Sequence, residues 1–128
     1  MLYRNILLID DDEDDQEIFV AALKSVTKAV SCITMQKAND ALLKLSSGNI
    51  TPDLIFLDLN MPFMSGQQFL TEIKKDSLLK EIPIIIFSTT SSRVTADETK
   101  KLGAHDFITK PDNFDDLKNI LKSSLGLS

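Results

Sequence analysis

The sequence predicts an α/β fold of the doubly wound kind, a five-stranded parallel sheet with helices on both faces. Two observations carry that expectation. Short, nearly unbroken apolar runs recur at Ile6–Ile9, Leu54–Leu57, Ile84–Phe87 and Phe107–Ile108, as strands covered on both faces do. Between them lie stretches whose apolar residues return at helical spacing, so the order is strand then helix, five times over. Crossovers between parallel strands are right-handed, and winding the chain both ways from a central strand is the economical solution.

Each element has its own signal. After the first strand, Phe19, Ala22, Leu23 and Val26 make the stripe of the first helix. Val30 to Met35, interrupted by Ser31 and Thr34, is mixed enough to be an edge strand. Ala38, Ala41, Leu42 and Leu45 line the second helix, and Gly48 is placed to stop it. Beyond the third strand, Ser65 and Gln68 have capping-box spacing, with Phe69 and Ile73 on one face of the helix they open. The helix between Ser91 and Leu102 is the weakest, with Val94, Ala96 and Leu102 as its main apolar residues. Poor apolar content predicts marginal docking. The last helix is capped by Asn113, lined by Leu117, Ile120, Leu121 and Leu125, and ended by Gly126.

The 128 residues suit one domain able to bury its own core. A single unit over 1–128 is expected, with no output domain, because residues 113–125 already form the last helix. Cys32 is the sole cysteine, so neither an internal disulfide nor a cysteine zinc site can be built. The Ile6–Ile9 run is followed at once by aspartates and is no signal-peptide core, and no segment approaches membrane-spanning length. A cytoplasmic protein without membrane contact is therefore expected. A net charge of −5 argues against a nucleic-acid partner. The acidity is concentrated: Asp10 to Asp15 are six acidic side chains in one run.

Open α/β sheets bind ligands beyond the carboxyl ends of their strands. There the first strand ends in Asp10-Asp11-Asp12, the third in Asp58 followed by Leu59-Asn60-Met61-Pro62, the fourth in Ser88-Thr89-Thr90 and the fifth in Lys110-Pro111. Carboxylates gathered together repel and raise one another's pKa. A hard divalent cation relieves the conflict, and Mg²⁺ favours a few carboxylates together with a phosphate. A lysine and a hydroxyl beside it supply what a phosphoryl group needs, and a carboxylate there can itself be the nucleophile.

Taken in order, Leu7-Leu8-Ile9-Asp10-Asp11, Leu54-Ile55-Phe56-Leu57-Asp58-Leu59-Asn60-Met61-Pro62 with Gly66, then Ser88, then Lys110-Pro111, resemble the response-regulator receiver family over essentially the whole chain. The resemblance implies a flavodoxin-like (βα)5 fold with strand order 2-1-3-4-5. It implies a stand-alone response regulator of two-component signalling, similar to the chemotaxis regulator: a switch rather than an enzyme, phosphorylated on Asp58. Asp11 and Asp58 would bind Mg²⁺ (or Mn²⁺) directly, Asp10 through a water, and Asn60 through its backbone carbonyl. Lys110 would pair with the acceptor and then with the phosphoryl oxygens, aimed by a cis Lys110–Pro111 peptide. Ser88 and its neighbour Thr89 would meet the phosphoryl group, and Phe107 would follow Ser88 by repacking. Ser88 stands where threonine is commoner, and Phe107 lacks the hydroxyl of the tyrosine often found. The donor would be a histidine kinase or phosphotransfer protein, the target another protein, and the domain a monomer.

Plainer readings stand beside these. Asp12, Asp14, Asp15 and Glu17 suit a solvated helix N-terminus. Thr89 and Thr90 suit a turn, His105 a strand boundary, and Cys32 buried packing. A calcium loop starting at Asp10 fails because Asp15 stands where glycine is needed and Ala21 where glutamate is. The enzymatic alternative is a haloacid-dehalogenase-type phosphatase with Asp10 as nucleophile and Asp12 as acid/base. It leaves Asp58 to Pro62 without a role.

Overall fold

The computed structural model describes residues 3–127. Strands β1 (Asn5–Ile9), β2 (Ser31–Met35), β3 (Leu54–Leu57), β4 (Ile84–Ser88) and β5 (Asp106–Thr109) alternate with helices α1 (Glu13–Val26), α2 (Ala38–Ser46), α3 (Gly66–Ile73), α4 (Arg93–Lys101) and α5 (Phe114–Ser124). All strand pairs are parallel, in the order β2-β1-β3-β4-β5. The predicted architecture and strand order both hold.

Alternation along the strands sorts the core into two layers. Leu7 and Ile9 of β1, Ile55 and Leu57 of β3 and Ile84 and Ile86 of β4 pack with Ala38, Ala41 and Leu45 of α2 and Phe69, Leu70 and Ile73 of α3. Ile6, Leu8, Leu54, Phe56, Ile85 and Phe87 point the other way, onto Phe19, Ala22 and Leu23 of α1 and Leu117, Leu121 and Leu125 around α5. In that second layer Phe19, Phe56 and Phe87 meet edge to face, with centroids 5.0 to 6.0 Å apart. The central strands β1, β3 and β4 are almost wholly buried, whereas β2 and β5 carry only exposed and half-buried residues, as edges do.

Helix ends follow local chemistry. The Ser65–Gln68 capping box is formed in both directions. Asp12, Ser92 and Asn113 accept from the backbone at the starts of α1, α4 and α5. Gly48 and Gly126 take positive φ just past α2 and α5, as a helix stop requires. Helix α4 is thinly anchored: Thr99 is its buried residue and Val94 is 77% exposed. No described helix is long and apolar enough to cross a membrane.

Candidate functional site

The carboxyl ends of β1, β3, β4 and β5 converge because the ladder keeps these strands in register. The ladder continues past β1 and β3, where the Asp58 amide donates to the Ile9 carbonyl, so the Asp10 and Asp58 segments lie side by side. Both side chains are buried, and Asp11 beside them is exposed. One oxygen from each of Asp10, Asp11 and Asp58 lies within 4.8 Å of the others, a spacing suited to a shared cation.

The charge balance is tight. Lys110 enters from the end of β5 and its Nζ donates to Asp10 Oδ2 at 2.8 Å and Asp15 Oδ2 at 2.9 Å, while Asp58 Oδ2 lies at 3.8 Å. Asp58 Oδ1 accepts from the Leu59 amide at 2.8 Å. Burial pushes the Asp58 carboxyl up to about 6, against the pull of Lys110. Burial also raises Asp10, despite its hydrogen bond from Lys110. Burial works against the Lys110 ammonium, but its bonds to Asp10 and Asp15 outweigh that and hold its pKa above the ordinary lysine value. One lysine thus leaves the carboxylate cluster under-compensated. Such a donor set, hard oxygens with residual negative charge, fits Mg²⁺ or Mn²⁺.

Beside this cluster Ser88 is fully buried, and its hydroxyl has no hydrogen-bond partner. The Lys110 amide donates to the Ser88 carbonyl at 2.7 Å, tying the two strand ends together. Ser88 pairs with Thr109, and Phe107 pairs with Ile86 two places back. Ser88 and Phe107 therefore point to the same face of the sheet, where half-buried Phe107 packs against the α2–α3 layer. An orphan hydroxyl in a dry setting costs stability. Ser88→Ala is thus expected to leave the resting fold as stable or up to about 1 kcal/mol more so. A fall in the urea midpoint would show that the hydroxyl has a structural partner.

The other expected residues are placed less centrally. Asn60 is exposed, two residues past Asp58. Thr89 is exposed, while Thr90 accepts from the Ser92 amide at 3.3 Å, as a turn residue does. The Lys110–Pro111 peptide, expected to be cis, is not: no cis bond occurs among the described residues. Trans is the lower-energy form before proline by about 0.5–1 kcal/mol, and the long lysine chain reaches the carboxylates from it.

Two residues escaped the sequence reading. Asp15, read there as part of a solvated helix end, is half-buried against Lys110. Gln16 Nε2 donates to the carbonyls of Asp10 (2.6 Å) and Met35 (3.2 Å), bracing the end of β1. The available signal was spacing: Asp15 precedes buried Phe19 by one turn and so faces inward. Asp12, which the phosphatase alternative needs as acid/base, is instead engaged as the α1 cap.

Comparison with known proteins agrees with this architecture. The response regulator receiver domain model matches residues 6–122. Response regulator Rcp1 of Synechocystis sp. is 30% identical over 117 residues, covering 88% of this chain and 80% of Rcp1. The Mn²⁺-bound form of Rcp1 superposes with a TM-score of 0.83, at 28% identity over 94% of this chain and 90% of that one. The phosphorylated cyanobacterial phytochrome response regulator RcpA gives 0.86, at 31% identity over 95% and 91%. The sensor histidine kinase CheAY of Helicobacter pylori is 28% identical over 122 residues, which are 95% of this chain but 15% of that kinase. The chain accordingly belongs to the response regulator receiver domain family of two-component signalling.

Proposed function

We propose that this domain acts as a receiver switch in which Asp58 accepts a phosphoryl group with Mg²⁺ held by Asp11, Asp58 and the Asn60 carbonyl, and by Asp10 through a water. The observation that carries the reading is the under-compensated Asp10–Asp11–Asp58 cluster facing one lysine. Support comes also from the relatives, one described as Mn²⁺-bound and one as phosphorylated. The bound cation supplies positive charge to the transferring phosphoryl oxygens.

With a carboxyl pKa of about 6, Asp58 is mostly ionised at neutral pH and can attack. An oxygen of Asp58 forms a bond to phosphorus as the bond from phosphorus to the donor breaks, and the donor keeps that electron pair. The donor is a histidine kinase or phosphotransfer protein, giving up its phosphohistidine. Lys110 and the Ser88 hydroxyl then hydrogen-bond the new phosphoryl oxygens. Moving Ser88 toward the group opens space on its face of the sheet, into which Phe107 repacks, and the thinly anchored α4 shifts with it. The α4–β5–α5 surface thereby changes its affinity for a protein target. The domain works as a cytoplasmic monomer without nucleic acid.

The switch is tested by amide NMR with Mg²⁺ and beryllofluoride, a phosphoryl mimic. Shifts are expected at Asp58, through Ser88–Thr90, and on into α4 and Phe107. Shifts confined to the Asp10–Asp12 and Asp58 segments would refute the coupling, and no shifts would refute the site.

A further inference from the structure

We propose that Asp15 is a positioning residue that holds Lys110 away from the acceptor carboxylate and so weakens retention of the phosphoryl group. The proposal rests on the reading of Asp58 as acceptor.

The geometry is a competition for one ammonium. Lys110 Nζ has three hydrogens. Two are spent on Asp10 and Asp15, at 2.8 and 2.9 Å, whereas Asp58 Oδ2 at 3.8 Å is beyond hydrogen-bond length. Asp10 belongs to the carboxylate cluster that can share a cation, and Asp15 does not. Engaging the cluster therefore draws charge from the Asp10–Lys110 bond and leaves Asp15 as the contact that keeps hold of the lysine. Asp15 sits on the first turn of α1, its side chain 38% exposed, and reaches a residue 95 positions later in the chain. Its pair with Lys110 lines a groove of about 250 Å³ together with Ile18 of α1 and Phe114 and Leu117 of α5. With the lysine side chain 12% exposed, this charge-assisted bond is screened less than one between two fully exposed groups. Asp14, one residue away, is exposed and has no contact with the lysine among the described hydrogen bonds and ion pairs.

The test has two arms. Crystals of metal-free Asp15→Asn are expected to show Lys110 Nζ moved to within about 3 Å of an Asp58 oxygen; a lysine still clear of Asp58 would overturn the proposal. In solution, with Mg²⁺ fixed, Asp15→Asn is expected to bind beryllofluoride roughly twofold to fivefold more tightly, the scale of one half-exposed ion pair. Asp15→Glu, which keeps the charge and the reach, and Asp14→Asn, which loses a neighbouring charge without touching Lys110, are expected to match the wild type. Equal tightening in Asp14→Asn would assign the effect to the general field, and no tightening in Asp15→Asn would remove it; either result overturns the proposal. Wild-type binding that survives Asp58→Asn would instead defeat the acceptor reading, while the crystallographic arm still decides where Asp15 holds the lysine.

Discussion

Replacing Gly66 with alanine is expected to destabilise the protein by about 3 kcal/mol, toward the upper end of the usual cost of overpacking. A methyl group on Gly66 would stand 2.6 Å from the Asp58 carbonyl oxygen and 2.8 Å from Leu59 Cα. Neither atom can swing aside as a flexible side chain can, because both belong to the segment that the Ile9 carbonyl and the Gly66 amide hold in place. The start of α3 or the end of β3 must therefore move. Moving the latter displaces Asp58, so the variant is also expected to bind Mg²⁺ more weakly. Urea unfolding and Mg²⁺ titration check both effects. A stability within about 0.5 kcal/mol of the wild type, the range of an ordinary surface change, would show that the backbone yields freely here.

Asp58→Asn is expected to act in the opposite direction, stabilising the metal-free protein at pH 7 by about 2 kcal/mol. The folded pKa of Asp58 is raised from 3.8 to about 6, and each unit is worth about 1.4 kcal/mol. A carboxyl whose folded pKa lies above its unfolded value helps folding while protonated in the folded state. That contribution is full below about pH 4 and is lost as the pH rises through about 6. Asp10, raised by burial as well, adds to the same trend. The side chain of Asp58 is only 10% exposed, so solvent screening removes little of the effect. Asparagine keeps an oxygen to accept from the Leu59 amide and never ionises. The wild type should therefore lose stability between pH 4.5 and 7.5 in the presence of a chelator, and Asp58→Asn should lose less. Saturating Mg²⁺ should narrow the gap by binding the ionised wild-type site. An asparagine variant less stable than the wild type at pH 7.5 without metal would mean that Lys110 already compensates the charge.

How far the sequence foretells this structure depends on what each residue's signal measures. The strands β1, β3 and β4 are legible because a strand covered on both faces admits almost no polar residue, and the runs at Ile6, Leu54 and Ile84 are of that kind. Their ends are less legible. Asn5 and Ser88 belong to the ladder, because backbone pairing continues whatever the side chain. The Ser65–Gln68 box is legible because capping is local chemistry. Asp10, Asp11, Asp58, Ser88 and Lys110 follow from asking what stands at each strand end, since topology alone gathers those positions. Asp15 does not follow so easily. An acidic residue in the first turn of a helix is favourable for the dipole whether or not it touches anything else, so its type carries no sign of the lysine. Nor could the peptide before Pro111 be read, because both isomers occur before proline.

The most direct measurement is intact mass after incubation with acetyl phosphate, with and without Mg²⁺, beside Asp58→Asn. The account predicts one phosphoryl adduct on the wild type in the presence of Mg²⁺, none without it, and none on the asparagine variant. An adduct that persists in Asp58→Asn, or a wild type that takes up no phosphoryl group under any condition, would contradict it.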